Sequence, residues 1–204
     1  MPKVSEAHLQ ARRNHILEAA ARCFSRNGFH GTTINAICDE AELSTGAVYR
    51  YFKSKNEIVT AIAELGRQGT SEILENARGA ATAPESLADM MSASLDMVHS
   101  PDADLSNRLS LLLYGEAVHT PHIRGLVIAA LGDLVEPFVA EVKRGQNRGE
   151  ISNRLDATSV GRVLAALGIG FTILAAVDPQ PSTASKQAIA MLLTGAFAEE
   201  RKTP

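Results

Sequence analysis

Apolar residues recur every three or four positions along most of the chain, which is the period of an amphipathic helix. No stretch of any length alternates at period two, and no internal repeat is present. Ile16, Ala20, Cys23 and Phe24 form the inner stripe of a first helix over about 8–27, with Gly28 as its C′ stop and Phe29 as a plug for the local core. Ile34, Ile37 and Ala41 give a short second helix one buried face, and Thr32 or Thr33 can cap its start. Glu42-Leu43 breaks the pattern. Ser44 is placed to cap a third helix, on which Val48 and Phe52 lie four apart and share the inward face. Ser54-Lys55-Asn56-Glu57 reads as a capping box that opens a fourth helix, reaching about residue 78 with Ile58, Ala61, Ile62 and Leu65 on one face. Gly66 and Gly69 weaken that helix locally.

Beyond a break at 79–84, the pattern predicts helices over about 84–99, 105–119, 121–148 and 156–177, and a last one opened by Thr183 or Ser185 and running to about 200. The expected fold is all-α. Two short helices joined by a tight turn within 32–55 describe a helix-turn-helix, with Thr45, Ala47, Tyr49, Arg50 and Tyr51 left to point away from the core. The segment Val163–Val177 holds no charged residue. It falls short of the roughly 18–20 residues that span a bilayer, so burial in a bundle is the expectation and no membrane is implied.

Composition changes this picture little. The chain has 204 residues, 45% hydrophobic and only 4% aromatic with no Trp, as suits a helical core of Ala, Leu and Ile. Cys23 and Cys38 both fall on apolar helix faces and read as reduced core residues. The start carries no apolar leader-like run, so a cytoplasmic protein is expected. Net charge is −3, which argues against a general nucleic-acid binder. Its distribution is more informative: residues 1–55 carry eight Lys/Arg against five Asp/Glu, a balance of +3, and the rest carries 12 against 18, a balance of −6. Arg12 and Arg13, near the start of the first helix, read equally as phosphate contacts or as solvated surface charges.

Gly28-Phe29, Thr32-Thr33-Ile34, Ile37, Ala41, Leu43-Ser44, Gly46, Tyr49, Tyr51-Phe52 and Lys55 together resemble the DNA-binding motif of TetR-type transcriptional regulators, over roughly 16–62. The chain departs from that motif at Glu42, where the family often has Gly. The resemblance implies a three-helix DNA-binding domain over 1–55 and a helical ligand-binding and dimerisation domain over 56–204. It implies that Thr33, Tyr49, Tyr51 and Lys55 mainly hold the phosphate backbone of double-stranded operator DNA, that Thr45 and Ala47 face base edges, and that Gly46 permits close approach. Arg50 reaches either guanine or phosphate. Thr32 and Ser44 complete the expected DNA-binding set. Lys55, at the positive end of the fourth helix, adds an ammonium to that helix's N-terminal field.

The resemblance also implies a homodimer built from two helices of each subunit. Gly161, Ala165, Gly168, Thr172 and Ala176, with Ile189, Leu192, Leu193, Ala196 and Phe197, are the candidates for that interface; the alternative is a purely intramolecular core. It further implies a small-molecule effector, here uncharged or amphipathic and largely apolar, with Leu65, Met90, Met91, Leu112, Tyr114 and Phe138 as candidate pocket residues. Binding would move the fourth helix and release a pseudo-palindromic operator. No cofactor is expected. Glu116, His119 and His122 are spaced by three, but Pro121 breaks the helix between the histidines and no matching Glu/His pair occurs elsewhere, so no metal is expected. No strand-linked phosphate loop and no nucleophile motif point to an enzyme. The remaining alternatives are an architectural DNA-binding protein without effector and an all-α small-molecule-binding protein.

Overall fold

The computed structural model describes residues 6–178 and 183–199, with side chains described through Gly195. Among the described residues there is no strand. The helices in chain order are α1 (Glu6–Gly31), α2 (Ile34–Glu40), α3 (Thr45–Tyr49), α4 (Lys55–Asn76), α5 (Ala83–Val98), α6 (Ala103–Ala117), α7 (Pro121–Asn147), α8 (Ala157–Val177) and α9 (Thr183–Glu199).

Side-chain chemistry sets where these helices begin. Thr33, Ser44, Ser54, Thr82 and Asp156 each accept a bond from the backbone N–H three residues on. Each cap of this kind stabilises its helix by about 1 kcal/mol. At Ser54 the reciprocal half of the expected box is displaced by one residue: Glu57 Oε2 accepts the Lys53 N–H at 2.6 Å. A full box forms instead at α5, between Thr82 and Glu85. The first helix kinks at Gly28 rather than ending there. Gly28 has φ 68° and ψ 173°, a conformation reserved for glycine, and the turn brings the Phe29 ring within 5.0 Å of the Phe24 ring.

The α2–α3 turn is a Schellman motif. The Leu43 N–H reaches Cys38 O at 2.9 Å and the Glu42 N–H reaches Asp39 O at 3.2 Å. Glu42 therefore occupies the left-handed C′ position, with φ 53°.

Two apolar clusters hold the bundle. The first joins Ile16, Phe24, Ile37, Val48, Phe52 and Ile58 to Leu109, Ala117 and Ile123. It therefore crosses the division expected at 55/56 and takes in α6 and the start of α7. The second joins Leu74 of α4, Leu87, Met90, Met91 and Leu95 of α5, Phe138 and Val142 of α7, Leu164 of α8 and Ile189 of α9. Glu141 is buried beside it, accepting a bond from Arg144 Nε at 2.8 Å and from Arg78 Nε at 3.5 Å, which ties the end of α4 to α7.

The expected dimer stripe is partly redirected. Gly161 is where α8 meets α7: a Cβ there would lie 2.6 Å from Val139 Cγ2, so the missing side chain serves an intramolecular contact. Ala165 and Ile189 are also buried within the chain, and Leu193 packs on the second cluster. Gly168, Thr172 and Ala176 are half-buried. Leu192 alone of the described members of the set is largely exposed, at 69%. Ala196 and Phe197 lie outside the residues whose side chains are described. The exposed apolar face runs instead along Val163, Leu167, Leu174 and Val177 of α8, and Met191 and Leu192 of α9 are exposed as well. The uncharged run of 163–177 belongs to the 21-residue helix α8, which is long and apolar enough to cross a membrane by length and composition, contrary to the estimate from the run alone. Its inner face packs against α7, α6 and α5.

Replacing Glu42 by Gly removes the left-handed side-chain penalty. Glu42→Gly is expected to raise the unfolding free energy by about 0.5–1 kcal/mol, read from urea denaturation.

Candidate DNA-binding face and ligand cavity

Three contacts position the short helix α3. Val48 and Phe52 anchor its inner face in the first cluster. Ser44 caps it, accepting the Ala47 N–H at 3.3 Å. The Glu42 turn sets its angle to α2. Helix α2 is itself bound to α1 by Glu40, which accepts a bond from Arg22 Nε at 2.7 Å and pairs with Arg26. With its inner side packed, α3 presents Thr45, Gly46, Tyr49 and Arg50 to solvent, and Ala47 and Tyr51 half-buried. Thr33 is exposed at the start of α2. Arg12 and Lys53 are exposed on the neighbouring elements. Ala47, Arg50 and Tyr51 line a shallow depression with Arg12 and Leu43.

Two expected DNA contacts are turned inward. Thr32 is 1% exposed, and its hydroxyl donates to Gly28 O at 2.8 Å and Cys23 O at 3.2 Å. Lys55 Nζ donates to Phe29 O at 2.5 Å and Thr32 O at 2.9 Å. The ammonium thus collects one carbonyl just past the Gly28 kink and one in the link to α2, and it clasps the start of α4 to the end of α1. Arg13 lies over the Phe52 ring, 5.2 Å from its centre.

The second feature is a cavity of about 390 Å³ between α4, α6 and α7, closed by parts of α5 and α8. Its α4 wall is Ile62, Ala63, Gly66, Arg67, Gly69, Thr70 and Ile73. A Cβ added at Gly66 or Gly69 would meet nothing within 4 Å, so both glycines leave room for a ligand. Leu109, Leu113 and Tyr114 of α6, Leu126 and Val127 of α7, Met97 of α5 and Thr172 of α8 continue the wall. Burial pushes the Tyr114 phenol pKa up, so the group stays neutral. Arg67 donates to Glu64 at 2.6 and 3.0 Å and to Asp133, tying α4 to α7.

Of the expected pocket residues, Tyr114 lines this cavity. Leu65 sits on the outer side of α4, 45% exposed, a quarter-turn from Gly66. Met90, Met91 and Phe138 are fully packed in the second cluster, and Leu112 lies off the wall. Sequence reasoning passed over Gly66 and Gly69. They fall on the same helical face as Ile62 and Ile73, and small residues on an apolar face were a usable sign of space rather than of weakness.

Ile62, Leu109, Leu113, Leu126 and Val127 have a double role. They line the cavity and also belong to, or pack against, the cluster that holds α1, α2 and α3. Of Glu116, His119 and His122, the trio at which no metal is expected, Glu116 pairs with His30 at 3.1 Å and with Thr120, and His122 meets Thr60 at 3.1 Å. Among the described residues no group of three His, Cys, Asp or Glu is placed to hold a metal ion.

Removing the Lys55 clasp leaves two carbonyls short of a donor. Lys55→Met is expected to lower the unfolding free energy by about 1–2 kcal/mol in chemical denaturation, where a cation reserved for phosphate would change it by less than about 0.5. Hydrogen bonds from Arg22 and Arg26 hold the Glu40 carboxyl below its ordinary value. Stability from these pairs is present above the unfolded carboxyl value of about 4.3 and is lost as pH falls through the lower folded value. Glu40→Gln is expected to flatten the fall of melting temperature between about pH 4.5 and 3.

The sequence and the fold were compared with known proteins. Residues 16–62 match the family described as Bacterial regulatory proteins, tetR family, and residues 83–196 match the BetI-type transcriptional repressor C-terminal family. The HTH-type transcriptional regulator UidR of Escherichia coli strain K12 is 25% identical over 175 residues, 86% of each chain. Among solved structures, Salmonella enterica GusR superposes with a TM-score of 0.79 at 23% identity, covering 96% of this chain and 99% of that one. Bacillus subtilis FadR, solved in complex with stearoyl-CoA, gives a TM-score of 0.74 at 22% identity, covering 89% and 97%. These superpositions speak for the fold. The second family match alone spans more than half of the chain and joins the helix-turn-helix match at its N-terminal side. The chain is a transcriptional regulator rather than an enzyme, and it belongs to the TetR family of bacterial regulatory proteins.

Proposed function

We propose that this regulator works in the cytoplasm as a homodimeric repressor, which leaves a pseudo-palindromic operator when a small, largely apolar molecule fills the cavity between α4, α6 and α7. The observation that carries this reading is the shared wall. The side chains that a ligand would touch are also those against which the DNA-binding helices pack. A ligand that repacks Ile62, Leu113 or Val127 would reset the angle of α4 and α1, and with it the separation of two recognition helices that must fit grooves about 34 Å apart. The match to a repressor family supports the sign of regulation. FadR, solved in complex with stearoyl-CoA, supports a small-molecule ligand for a regulator of this fold.

The exposed apolar face of α8 and α9 supports the dimer. Val163, Leu167, Leu174 and Val177 form one continuous stripe at helical spacing on α8, and Met191 and Leu192 add exposed apolar surface on α9. At the other end, Thr33, Ser44, Tyr49, Tyr51 and Arg50 are assigned to phosphate and groove contacts, and Thr45, Gly46 and Ala47 to the closest approach to base edges. Thr32 and Lys55 are assigned to the support of that surface.

Operator fragments selected from genomic DNA at moderate salt are expected to share a short pseudo-palindrome. On such a fragment, Arg50→Ala is expected to weaken binding about tenfold or more. It should reduce the slope of log K against log salt by about 1 if Arg50 holds a phosphate, and relax one base position if it reads a base. Retention without sequence preference would instead identify an architectural DNA-binding protein.

A further inference from the structure

Building on the reading of the cavity as the effector site, we propose that it selects an uncharged amphiphile: an apolar tail ending in a neutral hydrogen-bond acceptor such as an ester, lactone, ketone or amide carbonyl. Arg67 is the sole charged side chain on the wall among the described residues. Its charge is already matched. Nη2 and Nε donate to Glu64 at 2.6 and 3.0 Å, and Nη1 donates to Asp133. One guanidinium between two carboxylates leaves this group with a net charge of −1. A carboxylate head entering the cavity would therefore meet net repulsion and would have to displace an acid already in place. An ammonium head fares no better, because neither Glu64 nor Asp133 lines the cavity and both are already paired with the guanidinium.

A neutral acceptor avoids both costs. A guanidinium carries five N–H donors, and three are engaged, which leaves one on each Nη for a ligand oxygen without breaking either ion pair. Across the cavity, Ser110 and Tyr114 stand one turn apart on α6 and both line the wall. The Tyr114 hydroxyl makes no hydrogen bond to another described residue. It is a neutral donor on the cavity wall, and a ligand carbonyl can accept its hydrogen. The remaining wall is mostly aliphatic and suits a hydrocarbon tail.

The test uses the full-length protein and the neutral fluorophore Nile red, displaced at neutral pH by methyl decanoate, decanoate or decyltrimethylammonium, each below its micellar concentration. Methyl decanoate is expected to displace the dye at a concentration about tenfold or more below either charged analogue. Tyr114→Phe should weaken the ester several-fold and leave the charged analogues unchanged. Arg67→Met uncovers Glu64 and Asp133 and should move the preference toward decyltrimethylammonium. Decanoate binding as tightly as the ester would overturn the proposal in favour of an anion site, and tighter binding of decyltrimethylammonium to the wild type would overturn it in favour of a cation site. Nile red binding that persists in Gly66→Leu, where the cavity is filled, would place the dye elsewhere and refute the underlying assignment of the cavity. So would failure of the wild type to bind the dye. The head-group comparison and the cavity-filling variant therefore fail separately.

Discussion

The apolar wall between α4, α6 and α7 is the constraint on which the rest of the molecule depends. Leu109 is buried against the core of the DNA-binding helices and also faces the cavity, and Ile62, Leu113, Leu126 and Val127 are placed in the same way. A close-packed interior does not deform smoothly; its side chains interdigitate, so a change on one face is passed to the other as a discrete repacking. A cavity bounded by an independent layer would fill without consequence. Here the layer belongs to both sides.

Helix α4 is fastened at three levels along its length. At its start, Ser54 caps it and Lys55 clasps the carbonyls of Phe29 and Thr32. Midway, Arg67 ties it to Asp133 of α7. At its end, the buried Glu141 gathers Arg78 and Arg144. Breaking a buried pair leaves an uncompensated charge, so the Glu141 end is the stiffest of the three. The middle is more yielding, since the Arg67 pairs are partly exposed and Gly66 and Gly69 leave empty space beside them. Helix α4 is thus held firmly where it enters each core and loosely where it faces the cavity.

The recognition surface rests on an internal layer made of residues that look like ligands for DNA. Thr32 and Lys55 are polar and lie within the motif, yet both donate to backbone carbonyls, Thr32 to Gly28 O at the kink and Lys55 to Thr32 O in the link to α2. That leaves Thr33, Ser44, Thr45, Tyr49 and Arg50, with Arg12 and Lys53 beside them, among the exposed polar groups around α3. Glu42 carries a left-handed conformation at the turn, and Cys38 and Asp39 supply the carbonyls that close it. The strain is local and the motif is kept.

Helical periodicity, caps and the helix-turn-helix spacing were legible from the sequence, because they depend on residues within four positions of one another. Thr33, Ser44 and Ser54 cap α2, α3 and α4 as the sequence indicated, Thr82 and Asp156 cap α5 and α8 in the same short-range way without having been singled out, and the resemblance of 16–62 to a DNA-binding motif rests on the same short-range pattern. What the sequence left open is which apolar face meets which. Met90, Met91 and Phe138 are as apolar as Leu113 and Val127, but the first three close a core and the last two border a space. Gly161 and Ala165 have the small size expected at a close helix contact, but the contact is with α7 of the same chain, and the exposed stripe begins a residue or two around the helix at Val163 and Leu167. Rotation of a helix by one residue, about 100°, separates core from cavity and cavity from surface. That rotation is decided by packing between residues far apart in the chain, so only the tertiary structure contains it.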